Sequence, residues 1–175
     1  MLDILFVHPN AAHKIYQGLA NEHSALEPPI WAAMLANSVR KAGHSVAILD
    51  TEVEKLNYEE SVKRIIDAKA RVVCLIVYGQ QPSASSQNME GATNLSRLLK
   101  LQDPNQFIVF VGGHVAALPV VTLSNEPSIN AVCQNEGVYT LRDLLQVDDL
   151  KDSKLLSKVK GLCYRTSGNL ILTNP

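Results

Sequence analysis

Five short, almost uninterrupted apolar runs limit how this chain can fold: Ile4 to Val7, Val46 to Leu49, Val72 to Val77, Phe107 to Val111 and Ile129 to Cys133. Each is four to six residues long and rich in Val and Ile. A strand covered on both faces reads this way, whereas a strand with one wet face alternates apolar and polar residues. Longer stretches with helical spacing follow the runs: Ile30 to Ala42, Tyr58 to Ala68, Asn88 to Leu101, Val115 to Ser124 and Val138 to Leu145. The first closes on Lys41-Ala42-Gly43, a basic last turn and a C-cap glycine. Strand and helix alternating five times require right-handed crossovers, and so a five-stranded parallel sheet with helices on both faces. The expected fold is a doubly wound α/β domain.

Residues 1–150 make up that domain. Residues 151–175 read as a linker and an added β-hairpin, with strands from Lys160 to Thr166 and from Leu170 to Thr173 around Ser167-Gly168-Asn169. At 175 residues, 46% hydrophobic and 19% charged, the chain suits one domain with a proper core. A net charge of −1 without a basic stripe argues against nucleic acid as a partner. No apolar run reaches the roughly 18 residues of a membrane span, and the first strand lacks the basic n-region of a signal peptide. The expected location is the cytoplasm, with no membrane partner. Cys74, Cys133 and Cys163 are scattered, so neither a disulfide framework nor a CxxC metal site is expected. Cys74 and Cys133 lie in apolar runs and read as buried, inert thiols.

In an open parallel sheet, ligands bind beyond the carboxyl ends of the strands. The connections to inspect are therefore His8 to Pro29, Tyr78 to Gln87, Gly112-Gly113-His114, and Gln134 to Gly137. The first is long for a strand-to-helix loop, and such loops are usually functional or disordered. It holds His-Pro-Asn-Ala-Ala where a dinucleotide site needs G-x-G-x-x-G, and a Walker A loop is absent too. A phospho-receiver domain would want an acidic cluster at the first strand and a lysine after the fifth. Here Asp3 precedes the first strand and Gln134 follows the fifth. The remaining groups are small or carry hydroxyls. Ser83, Ala84, Ser85 and Ser86 offer short donors, Gly112-Gly113 lets something flat lie on backbone, and Glu136-Gly137 starts a helix whose N–H groups point outward. Together they describe a slot for a neutral, flat, polar-edged group, and no catalytic triad.

Several runs then line up in order. Glu27-Pro28-Pro29 opens the first helix, and Ala42-Gly43-His44-Ser45-Val46 leads to Leu49-Asp50. A Ser-rich loop follows the third run, then Gly112-Gly113-His114 with Pro119, Asn135-Glu136-Gly137, and Lys160-Gly161-Leu162-Cys163-Tyr164-Arg165. In this order and spacing the chain resembles the N-terminal cobalamin-binding domain of B12-dependent radical SAM enzymes, of the class B methyltransferase type, over nearly its whole length. The resemblance implies a Rossmann-like, flavodoxin-like B12-binding fold, with the benzimidazole nucleotide tail of cobalamin entering the sheet edge. Ser83 and Ser85 would hydrogen-bond the tail, Gly112 and Gly113 would pack against it, and Glu136-Gly137 would close the pocket. Tyr16, Gln80, Pro82, Ala84, His114 and Asn135 complete the implied cofactor-binding set.

Carriers with histidine-ligated cobalt have D-x-H-x-x-G after the first strand. Around His13 those flanks are Ala11 and Tyr16. His8 and His13 are therefore expected as surface or hydrogen-bonding residues, and the cofactor as base-off and His-off, with Tyr16 or else His13 nearest the cobalt. A radical SAM core needs C-x3-C-x2-C for its 4Fe–4S cluster, which three scattered cysteines cannot supply. The chain itself is thus expected to bind neither S-adenosylmethionine nor the cluster. In the family the hairpin bridges into that core, so the expectation is a fragment of a cobalamin-dependent radical SAM methyltransferase. The alternatives are a free-standing corrinoid carrier or sensor, and an FMN domain, for which the Thr/Ser-rich anion-binding loop after the first strand is missing.

Overall fold

The computed structural model describes residues 1–10, 28–79, 82–166 and 169–173, except the side chains of residues 82–84 and 87. Its strands are β1 (Leu2–His8), β2 (Val46–Asp50), β3 (Ala70–Ile76), β4 (Phe107–Val111), β5 (Ala131–Cys133), β6 (Leu162–Arg165) and β7 (Leu170–Leu172). The helices are α1 (Ile30–Lys41), α2 (Tyr58–Asp67), α3 (Pro82–Gln102), α4 (Gly113–Ala117), α5 (Pro119–Asn125), α6 (Val138–Leu145) and α7 (Ser153–Leu156). All strands join one sheet in the order β2-β1-β3-β4-β5-β6-β7. The first five are mutually parallel, and the last two run antiparallel to their neighbours.

The sheet therefore has seven strands where five parallel ones are expected. The reason lies in β6, whose Leu162, Cys163 and Tyr164 are buried. Leu162 and Tyr164 enter the core cluster on one face and Cys163 the cluster on the other. A strand apolar on both faces must lie inside the sheet, so the hairpin continues it beyond β5. The clusters also show the period-two alternation that places the helices. Phe6, Cys74, Val109 and Cys133 pack toward α1 and α6, while Val7, Leu75 and Phe110 pack toward α2, α3, α4 and α5.

Local chemistry sets the element boundaries. Asn57 and Glu60 form a reciprocal capping box at the start of α2, with bonds of 2.8 and 3.0 Å. The single helix expected from Val115 to Ser124 is two, α4 and α5, because Pro119 has no N–H to continue the ladder and suits the first position of a new helix. The serines expected in a loop after β3 lie in α3, which begins at Pro82. Pro82 is already set for that first position. Asp3 belongs to β1 and does not precede it; its carboxylate accepts the Ser45 N–H and hydroxyl, both at 2.7 Å.

At the edge where strands begin and helices end, cations bind carbonyls at and just beyond the ends of three helices. Arg71 donates to Leu145 and Val147 after α6, Lys100 to Pro104 and Gln106 after α3, and Arg165 to Leu123 and Glu126 at the end of α5. Those cations are thereby occupied in holding the fold. The opposite edge, at the carboxyl ends, is different. There the chain order reverses between β1, which leads out to β2, and β3, which leads to β4. Such a switch point leaves a crevice above the sheet. Among the described residues, no helix is long and apolar enough to cross a membrane.

Candidate functional site at the carboxyl edge of the sheet

The five parallel strands β1 to β5 all end at this edge. Beyond β3, the Val77 N–H donates to the Val111 carbonyl at 2.7 Å, which ties the end of β3 to that of β4. The Val77 carbonyl accepts the Ser85 hydroxyl, and Ser85 Oγ in turn accepts the His114 N–H at 3.0 Å. One buried serine thus joins β3, the first turns of α3 and the start of α4. Ser86 Oγ and His114 Nδ1 are hydrogen-bonded at 2.9 Å, nearer the surface. Of the residues expected from sequence, Ser85, Gly112, Gly113 and His114 are therefore brought together. Ser85 has spent its only proton inside the protein, so toward a ligand it can offer a lone pair alone.

The glycines differ in what they need. A Cβ on Gly112 would fall on the Val77 carbonyl, so the protein's own backbone forbids a side chain there. Gly137 caps α6 with φ 82°, and a Cβ would stand 2.6 Å from Val111 Cγ2. Gly113 has neither constraint. It lies exposed at the first position of α4, and a Cβ would meet Ser85 Oγ at an ordinary 3.7 Å. Nothing among the described residues accounts for the missing side chain at Gly113.

Across the crevice, Tyr78 follows β3 and Trp31 opens α1. Their rings stack with centroids 4.1 Å apart and planes 14° from parallel. The Tyr78 backbone is fixed by Asn88 Nδ2, which donates to its carbonyl at 2.6 Å. Burial first, and then the charge of Glu136, push the Tyr78 phenol up to about 12, so its hydroxyl remains a neutral donor. Asn135 and Glu136 are exposed and Gly137 is buried beneath them. Sequence reasoning missed both aromatic residues. Trp31 is the only tryptophan, and the available signal was its place just after Pro28-Pro29 on a switch-point helix.

His8 is the last residue of β1 and not a loop residue. It lies beside Asp50 of β2, with Nδ1 3.3 Å from Asp50 Oδ1. Burial alone would raise the Asp50 carboxyl. Hydrogen bonds from His8, Val53 and Glu52, with the charge on His8, outweigh it and hold the group below its ordinary value. His8 Nδ1 is thus engaged in the fold. Burial pushes the Cys133 thiol up to about 12 and raises Cys74 as well, which makes both poor nucleophiles. Tyr16, His13 and Gln80 lie outside the described residues, as do the side chains of Pro82, Ser83 and Ala84.

A family model described as the B12 binding domain matches residues 17–145. An uncharacterized methyltransferase of Pyrococcus horikoshii is 31% identical over 143 residues, 82% of this chain and 29% of its own length. The anaerobic magnesium-protoporphyrin IX monomethyl ester cyclase of Synechocystis is 28% identical over 148 residues, 85% of this chain and 28% of that protein. The chain thus spans less than a third of these relatives. Among solved structures, the radical S-adenosylmethionine methyltransferase TsrM of Kitasatospora setae, with cobalamin and a 4Fe–4S cluster bound, aligns with a TM-score of 0.72. That match covers 100% of this chain and 31% of TsrM at 14% identity. The apo form of the cobalamin-dependent radical enzyme OxsB aligns over 99% of this chain and 22% of its own, with a TM-score of 0.60 and 17% identity. At such identities these two structures show a shared fold.

Proposed function

Because the chain belongs to the B12-binding domain family, we propose that it holds cobalamin base-off, with no histidine on the cobalt, as the cofactor-binding part of a B12-dependent radical SAM methyltransferase. One observation carries the reading: Gly113 sits exposed on the carboxyl edge without a side chain that the protein itself would tolerate. A flat group lying on that backbone supplies the missing reason, and the benzimidazole tail of cobalamin is such a group. Gly112 serves this indirectly, by letting β4 turn close under Val77 and present Gly113. Ser85 fixes the same turn through Val77 and His114. Ser85, Ser86 and Tyr78 offer neutral donors and acceptors, which suits a cofactor rimmed by uncharged amides.

In such a parent, cobalamin supplies methyl-group carriage, while S-adenosylmethionine and the 4Fe–4S cluster belong to a radical SAM core elsewhere in the chain. The role of this domain is to bind and orient the cofactor. The flanks of His13, Ala11 and Tyr16 where histidine-ligated carriers have D-x-H-x-x-G, support the His-off assignment. Spectrophotometric titration with hydroxocobalamin tests the reading. The parent chain binds, and Gly113→Leu keeps its circular dichroism but binds about tenfold to a hundredfold more weakly, as expected of overpacking a filled site. Equal affinity in the two proteins would place the tail elsewhere.

A further inference from the structure

The Trp31–Tyr78 stack stands at the switch point between β1 and β3, where ligands of open α/β sheets bind. It is built from both sides of that point: α1 follows β1, and Tyr78 lies two residues past the end of β3. Tyr78 forms the inner layer, packed against the core cluster on the α1 and α6 face. Trp31 forms the outer layer, and with one ring face on Tyr78 it remains 36% exposed. Ile30 and Met34 beside it are also exposed, at 59% and 57%. An apolar, aromatic-centred surface therefore borders the crevice on the side opposite Gly113 and Ser85. No acceptor among the described residues takes the Tyr78 hydroxyl proton. The hydroxyl is not among the buried side-chain atoms left without a partner, so it is open to solvent and free to donate to a ligand.

We propose that the Trp31–Tyr78 pair is the wall against which the corrin ring of the cofactor rests, with the Tyr78 hydroxyl donating to an amide carbonyl at the ring's rim. The proposal rests on the cobalamin reading and assigns the two halves of the cofactor to opposite sides of the crevice. The tail lies over Gly113 on the α3 and α4 side, and the ring lies toward α1. The corrin is favoured over the tail for this wall because the apolar surface is broad, with Ile30, Trp31 and Met34 continuous along one helix end. A benzimidazole needs only a narrow slot. Stacking aligns the rings, the Asn88 bond to the Tyr78 carbonyl holds the inner one, and the raised Tyr78 phenol keeps its proton across the working range.

The test compares cobalamin with cobinamide, which keeps the corrin and lacks the nucleotide, on the 175-residue chain. Trp31→Ala weakens both ligands alike, by about threefold to tenfold, and Trp31→Phe recovers most of the loss. Tyr78→Phe keeps the stack and weakens both by a similar factor. Circular dichroism stays at the parent's, since Trp31 lies at the exposed start of its helix. Unchanged affinity of Trp31→Ala for both ligands would overturn the wall while the parent's binding, and its loss in Gly113→Leu, leaves the cobalamin reading standing. Loss of cobalamin binding alone would assign the wall to the tail and overturn the corrin contact. A parent that binds neither ligand would overturn both.

Discussion

The Val77 carbonyl occupies the space that a Cβ on Gly112 would need. That oxygen is fixed twice over, by the Val77 N–H bond to Val111 and by the Ser85 hydroxyl, so it cannot step aside without breaking the ends of β3 and β4. Gly112→Ala is therefore expected to destabilise the fold by about 3 kcal/mol or more. For a chain of this size that lowers Tm by roughly 6–12 °C. Gly113→Ala meets only ordinary contact with Ser85 and should keep its Tm within about 2 °C, since alanine also favours helix. Thermal melts of the two variants check the contrast. Equal destabilisation would mean that both glycines serve the fold, and would remove the main support for a ligand at Gly113.

Ser85 is expected to affect stability before it affects binding. Ser85→Ala leaves the Val77 carbonyl and the His114 N–H without their partner, at a cost of roughly 1–3 kcal/mol. Cobalamin should bind more weakly, because the turn presenting Gly113 loosens, while cobinamide changes little. Titrations of both ligands, read beside a thermal melt, check this. A variant as stable as the parent would show that the serine bridge contributes nothing.

Asp50 links acid stability to the β1–β2 pair. Its folded pKa lies below the ordinary 3.8, so the stabilisation is present above that value and is lost as pH falls through it toward the lower folded one. Asp50→Asn removes the carboxylate. It should lower Tm at pH 7 and make Tm fall less steeply than the parent's between pH 5 and pH 3. Parallel acid limbs in melts across that range would contradict the assignment.

Much of the fold was legible because strands buried on both faces leave continuous apolar runs, as Phe107 to Val111 does, and because Val138 to Leu145 keeps one helical period. The failures have local causes. Pro119 divides a helix that periodicity alone reads as one, and Pro82 starts α3 among serines that read as loop. The fate of β6 depended on Cys163 and Tyr164 facing opposite cores, which only the paired sheet reveals. At the site, Gly112-Gly113 stood out as a pair, yet sequence could not say which glycine answers to Val77 and which to open space. Trp31 and Tyr78 are 47 positions apart in the chain and meet only because β1 and β3 are neighbours.

The central claim, cobalamin held with its tail in the sheet edge and no histidine on the metal, is tested most directly by electron paramagnetic resonance of the chain with Co(II) cobalamin. A nitrogen nucleus on the cobalt axis splits each line into three, whether it comes from the cofactor's own base or from a histidine. Unsplit lines in the parent, unchanged in His8→Ala and His13→Ala, are expected. Triplets in the parent would contradict the claim: lost in a histidine variant, they would identify that residue as the ligand, and retained in these and in the alanine variants of His23, His44 and His114, they would show the cofactor base-on, with its tail outside the sheet.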